Sequence, residues 1–257
     1  MRRVEEMWGT VITIDVLDGV DDAVLDECFT WFRHVDDLFS TWRDDTEIMQ
    51  IGRGDLAVAH ASAEVRTVLD LCERMRLESG GAFAISVGGR ARIAARPGLA
   101  PLDPSGLVKG WAVARAADRL LEAGAQSFFL NAGGDVLVRG RPAGTDGWRV
   151  GIQHPWEREH VAAVLRVTDA AIATSGRYER GDHVLDPRTG LPAAGLASVT
   201  VVGADLAVAD AYATAAVVLG PEQGMRWLAT RAGYEGMGIT DDRALVSTPG
   251  FHRHRVS

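Results

Sequence analysis

Between residues 173 and 192 the chain reads ATSGRYERGDHVLDPRTGLP, twenty residues that hold hydroxyls, an imidazole, both signs of charge, glycine and proline. Apolar side chains occur there only singly or in pairs, so neither a helical nor a strand period runs through it, and a polar loop of this length is a candidate working loop. The run His183-Val184-Leu185-Asp186-Pro187 predicts a brief strand, stopped by Pro187 and turned by Thr189-Gly190, which argues for order. A neutral imidazole at His183 can take a proton from a hydroxyl near pH 7. A histidine satisfied within the fold is the alternative. Ser175 with a remote histidine suggests a hydrolase nucleophile, but the strand-turn-helix setting of a Gly-x-Ser-x-Gly elbow is missing, which excludes that chemistry.

Four further constellations carry chemistry. Asp210 and Thr214 stand four apart in an Ala-rich helix predicted over 205–219, hence one turn apart on one face, where a carboxylate and a hydroxyl offer hard oxygen ligands for Mg²⁺. A threonine bonded back to its own helix beside a solvated aspartate fits the same spacing. Lys109 falls near the start of a helix that runs to about residue 122, where the helix end favours anions and an ammonium suits a phosphate; a solvated surface lysine also fits. Gly133-Gly134-Asp135 lies between two strands over 127–138, so its amides could converge on an anion and Asp135 could accept from a ribose hydroxyl, or the segment is a plain hairpin turn. Trp42 offers a flat apolar area for stacking, or caps the helix before it.

The elements that must position these residues are legible from periodicity. A strand is predicted over 9–16, a helix over 21–39 with Asp21 or Asp22 at its start, and a second helix over 64–79 ended by Gly80-Gly81. Strands follow at 148–155 and 198–202, then a helix at 222–232 and a short strand at 244–246. A length of 257 residues with 47% hydrophobic composition is enough for a sizeable core, and no linker or repeat divides it, so one domain over 1–257 is expected. The formal net charge of -8 argues against nucleic acid as partner. Cys28 and Cys72 sit in helical patterns as buried thiols. No apolar run suits an export signal or a membrane span, so a cytoplasmic protein is expected.

The paired segments ATSGRYER and HVLDPRTGLP, preceded in order by FSTWRDDTEI at 39–48, GAFAISVG at 81–88, LDPSGLVKGWAV at 102–113 and NAGGD at 131–135, and followed by ADAYAT at 209–214, resemble the ApbE family, the FAD:protein FMN transferases. The resemblance runs from Gly9 to about Gly220. It implies an α+β fold related to the T-fold superfamily, with mixed or antiparallel sheets, packed helices and FAD in a cleft. It implies that Trp42, where the family usually has Tyr, lies against the flavin ring, and that Asp103, Lys109, Gly133, Gly134, Asp135, Thr174, Ser175 and Val184 lie near FAD, Val184 through its backbone. Asp210, Thr214 and the Gly106 carbonyl would hold Mg²⁺, with His183 close to the reacting phosphate. The sequence departs from the family's pattern at Ala84, where an Asp is common, and over 89–101, which lacks the usual aromatic stretch. The implied reaction is Mg²⁺-dependent transfer of FMN from FAD to a Thr or Ser hydroxyl of an acceptor protein, with release of AMP. An FAD pyrophosphatase giving FMN and AMP, and a non-catalytic FAD-binding carrier, are the alternatives.

Overall fold

The computed structural model describes residues 1–86, 102–157, 159–177 and 184–256. Eight strands form one sheet: β1 (Arg2–Met7), β2 (Thr10–Val16), β3 (Phe128–Ala132), β4 (Asp135–Arg139), β7 (Ala170–Gly176), β8 (Leu196–Gly203), β9 (Glu235–Thr240) and β10 (Leu245–Ser247), in that spatial order. Every neighbouring pair is antiparallel. The remaining two strands, β5 (Trp148–Gln153) and β6 (Val161–Val167), leave the sheet between β4 and β7 and pair with each other.

Alternation along the strands separates two cores. Leu137 on β4, Ala171 and Ala173 on β7, and Val199 and Val201 on β8 pack with the helices, whereas Val136, Val138, Ile172 and Val202 pack with Val150, Ile152 and Leu165 of the β5–β6 hairpin. Since successive strand residues face opposite sides, the helices cover one face of the sheet and the hairpin covers part of the other. The helical face carries α1 (Asp22–Phe39), α3 (Ala63–Glu78), α4 (Ser105–Glu122), α5 (Leu206–Leu219) and α6 (Pro221–Leu228), with the short α2 (Glu47–Arg53) after α1. α5 is buried almost all round, as an Ala-rich helix without an amphipathic stripe must be.

Of the expected helices, α1, α3 and α5 form with side-chain caps. Asp21 accepts from the Ala23 amide at 2.9 Å and Ser62 from the Val65 amide at 3.3 Å. Leu77 is apolar and falls inside the helix expected over 64–79, yet it is exposed. The buried set Val65, Val68, Cys72 and Met75 recurs at three and four, and Leu77 lies two residues past it, on the far side. The cysteines are buried free thiols, and burial pushes them up to about 11 at Cys28 and about 12 at Cys72. The helix expected over 222–232 ends at Leu228 and the strand expected over 148–155 at Gln153; β1, β6, β7, β9 and α2 are additional to the sequence reading, and β7 runs to Gly176, into the stretch from 173 read as free of any strand period. No helix among the described residues is long and apolar enough to cross a membrane.

Candidate active site

Four elements of the helical face bring the candidate residues together: the first turns of α4, the start of β4, the end of β7 and the middle of α5. The contact between α4 and α5 is made by glycine. A Cβ at Gly110 would lie 2.6 Å from the Leu206 carbonyl oxygen, and one at Gly106 would lie 3.3 Å from Thr214 Oγ1 and 3.4 Å from Phe83 Cε2. The helices therefore run antiparallel with backbone against backbone, which sets Gly106 beside Thr214.

Thr214 Oγ1 is 2.9 Å from Ser175 Oγ on β7. Asp210, one turn earlier on α5, is 4% exposed. Ser175, Asp210 and Thr214 thus bring two hydroxyls and a buried carboxylate together, with Gly106 packed beside Thr214. Tyr212, between Asp210 and Thr214 in sequence, points elsewhere and donates to Glu78 Oε2 at 2.7 Å. Burial and then that hydrogen bond push its phenol up to about 12.

The second group is built on Lys109, whose Nζ is 2.8 Å from Asp135 Oδ2. Lys109 is the fifth residue of α4, so its side chain, rather than the free amides of the helix end, supplies the positive charge. The first-turn amide of Ser105 is taken by Asp103 Oδ1 at 3.0 Å. Asp135 is 1% exposed, with Oδ1 accepting from the Thr174 amide at 3.0 Å. It is therefore held inside the fold by Lys109 and β7, where the sequence reading placed a carboxylate open to a ribose. The Gly133–Gly134 turn before it has φ of 60° and 95°, the left-handed pair that a two-residue hairpin requires.

Thr174 and Ser175 part company. Thr174 Oγ1 is 2.9 Å from Thr200 Oγ1, its cross-strand partner on β8, while Ser175 meets α5. Neighbouring strand residues face opposite sides, so the Ser175 hydroxyl lies on the helical face and the Thr174 hydroxyl on the other; Thr174 reaches the site through its amide.

The surrounding turns converge on the same region. The Asp103 amide donates to the Ile85 carbonyl at 2.7 Å, which ties the turn containing Phe83 to the head of α4. Phe39 at the end of α1 meets Trp111 of α4 edge-on at 6.0 Å, three residues before Trp42, which is 87% exposed. A tryptophan this open has its ring available for stacking and does not cap α1, since the cap amide of Ser40 bonds back to Asp36. The Val184 carbonyl accepts from Ala193 at 2.9 Å, and Asp186 to Leu191 closes as a turn, with Leu185 bridging Pro192. Arg188 holds the Asp186 carboxyl below its ordinary range. The expected turn is thus present, but in place of the expected brief strand only an isolated bridge pairs Leu185 with Pro192, while His183 and the segment 89–101 lie outside the described residues.

The donor set fits Mg²⁺. Asp210 and Thr214 supply a buried carboxylate and a hydroxyl on one helix face, with Gly106 alongside, all hard oxygen chemistry. No group of three or more His, Cys, Asp or Glu that could hold a metal ion occurs among the described residues, so a cation here would rest on a single carboxylate together with hydroxyl, carbonyl, water and substrate oxygens. The pairings that sequence reasoning did not find are Ser175 with Thr214 and Lys109 with Asp135. Each joins residues far apart in the chain, and single-sequence periodicity carries no signal for that.

The model of the ApbE family matches residues 8–96 and 90–237. An FAD:protein FMN transferase of Vibrio cholerae is 28% identical over 241 residues, covering 75% of this chain and 72% of that protein. One from Rhodobacter capsulatus is 39% identical over 156 residues, 58% of this chain, but the match spans only 30% of that protein. Among solved structures, the flavin transferase ApbE of Vibrio cholerae superposes with a TM-score of 0.84 at 24% identity, covering 99% of this chain and 98% of that one. An ApbE protein from Thermotoga maritima gives 0.85 at 21% identity, covering 100% and 99%. The shared fold is thus α+β with antiparallel sheets. On the extent of the family match, this chain belongs to the ApbE family.

Proposed function

We propose that this protein is an FAD:protein FMN transferase that moves FMN from FAD to a Thr or Ser hydroxyl of an acceptor protein and releases AMP. The observation that carries the reading is the packing of Gly106 against Thr214 Oγ1, with Ser175 bonded to that oxygen, because it sets two hydroxyls, one turn from the buried Asp210 carboxylate, against the first turns of α4 that hold Lys109. The relatives' name, FAD:protein FMN transferase, supports the transfer of FMN from FAD to a protein.

In this reading the acceptor hydroxyl oxygen bonds to the flavin-side phosphorus. The bond from that phosphorus to the bridging oxygen breaks, and the bridging oxygen leaves with AMP. His183 takes the hydroxyl proton. The Lys109 ammonium faces the pyrophosphate and stabilises charge developing there. Trp42 holds the isoalloxazine by stacking. Asp210, Thr214 and the Gly106 carbonyl would hold Mg²⁺, which supplies charge neutralisation at the phosphate oxygens.

The test combines the chain with FAD, Mg²⁺ and acceptor domains bearing exposed Thr or Ser, and follows AMP together with covalent flavin by mass spectrometry. Wild type should yield both in equal amounts, and Asp210→Ala should lose at least about a hundredfold in metal-dependent rate. Free FMN with AMP across all acceptors would point to a pyrophosphatase, and tight FAD binding without AMP to a carrier.

A further inference from the structure

Of the chain's 27 lysines and arginines, Lys109 is the single lysine and all the rest are arginines. A composition so committed to arginine singles out the one position where an ammonium stands. The local geometry gives a physical reason. Lys109 reaches Asp135 Oδ2 at 2.8 Å, the Asp135 side chain is 1% exposed, and Oδ1 is directed at the Thr174 amide at 3.0 Å. One carboxylate oxygen is therefore committed to β7 and the other faces the cation. A guanidinium gains most from a carboxylate by a two-pronged contact with both oxygens, whereas an ammonium is a compact point charge that needs only one. The Lys109 side chain is 29% exposed, so the ammonium is held from within while part of it stays open.

We propose that Asp135 is the positioning residue for Lys109: its buried carboxylate, fixed by the Thr174 amide, sets the place of the ammonium, and the site accepts lysine but not arginine. Asp135 then acts on the flavin nucleotide through Lys109 and is not itself a nucleotide ligand. The arrangement also links the two halves of the site. Lys109 and Gly106 lie one turn apart on α4, and Thr174 and Ser175 are adjacent on β7, so the Asp135–Thr174 and Ser175–Thr214 contacts close a ring through α4, β4, β7 and α5.

Because the chain has one lysine, amine acylation reports on this pair directly and without FAD. The 257-residue chain and Asp135→Asn would be treated with N-hydroxysuccinimidyl acetate at neutral pH, and acetylation of Lys109 followed by peptide mass spectrometry, with a thermal melt to establish that each is folded. Released from its carboxylate, the amine should react about tenfold faster in Asp135→Asn; an unchanged rate in the folded variant overturns the proposal. Lys109→Arg provides the second arm, which rests on the placement of Lys109 proposed above. It keeps the charge, and should bind FAD about tenfold more weakly by flavin fluorescence while melting with the wild type. Wild-type affinity in Lys109→Arg would overturn the requirement for lysine, and so decides the matter if Asp135→Asn fails to fold. A wild-type chain that binds FAD but releases no AMP with any acceptor sinks the transferase reading alone, and leaves the acetylation result standing.

Discussion

Asp210, Tyr212 and Thr214 lie two residues apart on α5, and helical geometry sends the middle one away from the other two. Tyr212 is packed edge-on against Trp227 and Tyr234, with ring centroids at 5.1 and 5.0 Å, and its hydroxyl donates to Glu78 at the end of α3. That contact anchors the helix whose following turn carries Phe83 to Gly106. Burial, with the Glu78 carboxylate next, raises the phenol from 10.0 to about 12, so folding favours its protonated form. The sign follows: this stabilisation is complete below pH 10 and is lost as pH rises through about 12. Tyr212→Phe should cost about 1 kcal/mol at neutral pH and lose less stability than wild type between pH 10 and 12. Urea midpoints across that range check it, and parallel curves for the two proteins would refute the assignment.

At the scale of elements, the pairing of α4 with α5 decides whether a site exists. Ala in place of a helical Gly ordinarily stabilises by about 1 kcal/mol. Here the added Cβ would meet the Leu206 carbonyl oxygen at 2.6 Å, and a backbone atom cannot swing aside. Gly110→Ala should therefore destabilise by about 1–3 kcal/mol against its propensity, and lower AMP release in the protein that remains folded by displacing Lys109 and Gly106 together. A raised melting temperature would show that the helices separate freely. This interface also marks where the sequence stopped being legible. Period and caps located α1, α3 and α5 to within a residue or two, and the Gly-Gly turn announced the hairpin of β3 and β4. β1 escaped because RRVEEM is a charged edge strand with Val4 half exposed, as edges facing water are built, and β9 because glycines interrupt its pattern. At the site, the helical spacing of Asp210 and Thr214 was readable, and resemblance supplied the rest. That Asp135 is buried against Lys109, and that Thr174 and Ser175 face apart, required the strand pairing, which no local pattern encodes.

For the molecule as a whole, the sheet has two unequal sides. The helical side holds Gly106, Lys109, Asp135, Ser175, Asp210 and Thr214, while the β5–β6 hairpin and Phe251 build a smaller core on the other. Leu165 on β6 is fully buried in that smaller core, and among the described residues its cluster contains none of the residues proposed to hold metal or phosphate. The two sides are joined through β4, β7 and β8, whose alternate residues belong to different cores, so they should share one unfolding transition while differing in their effect on the site. Leu165→Ala should then cost about 2–5 kcal/mol, the usual penalty for truncating a buried leucine, and shift the whole unfolding curve. FAD affinity measured well below the new melting temperature should stay within about twofold of wild type, because a cavity on the hairpin side relaxes locally and distant sites add independently. Weakened FAD binding at unchanged foldedness would mean that the hairpin core sets the strand positions under Asp135 and Ser175, and that the sheet transmits packing from one face to the other.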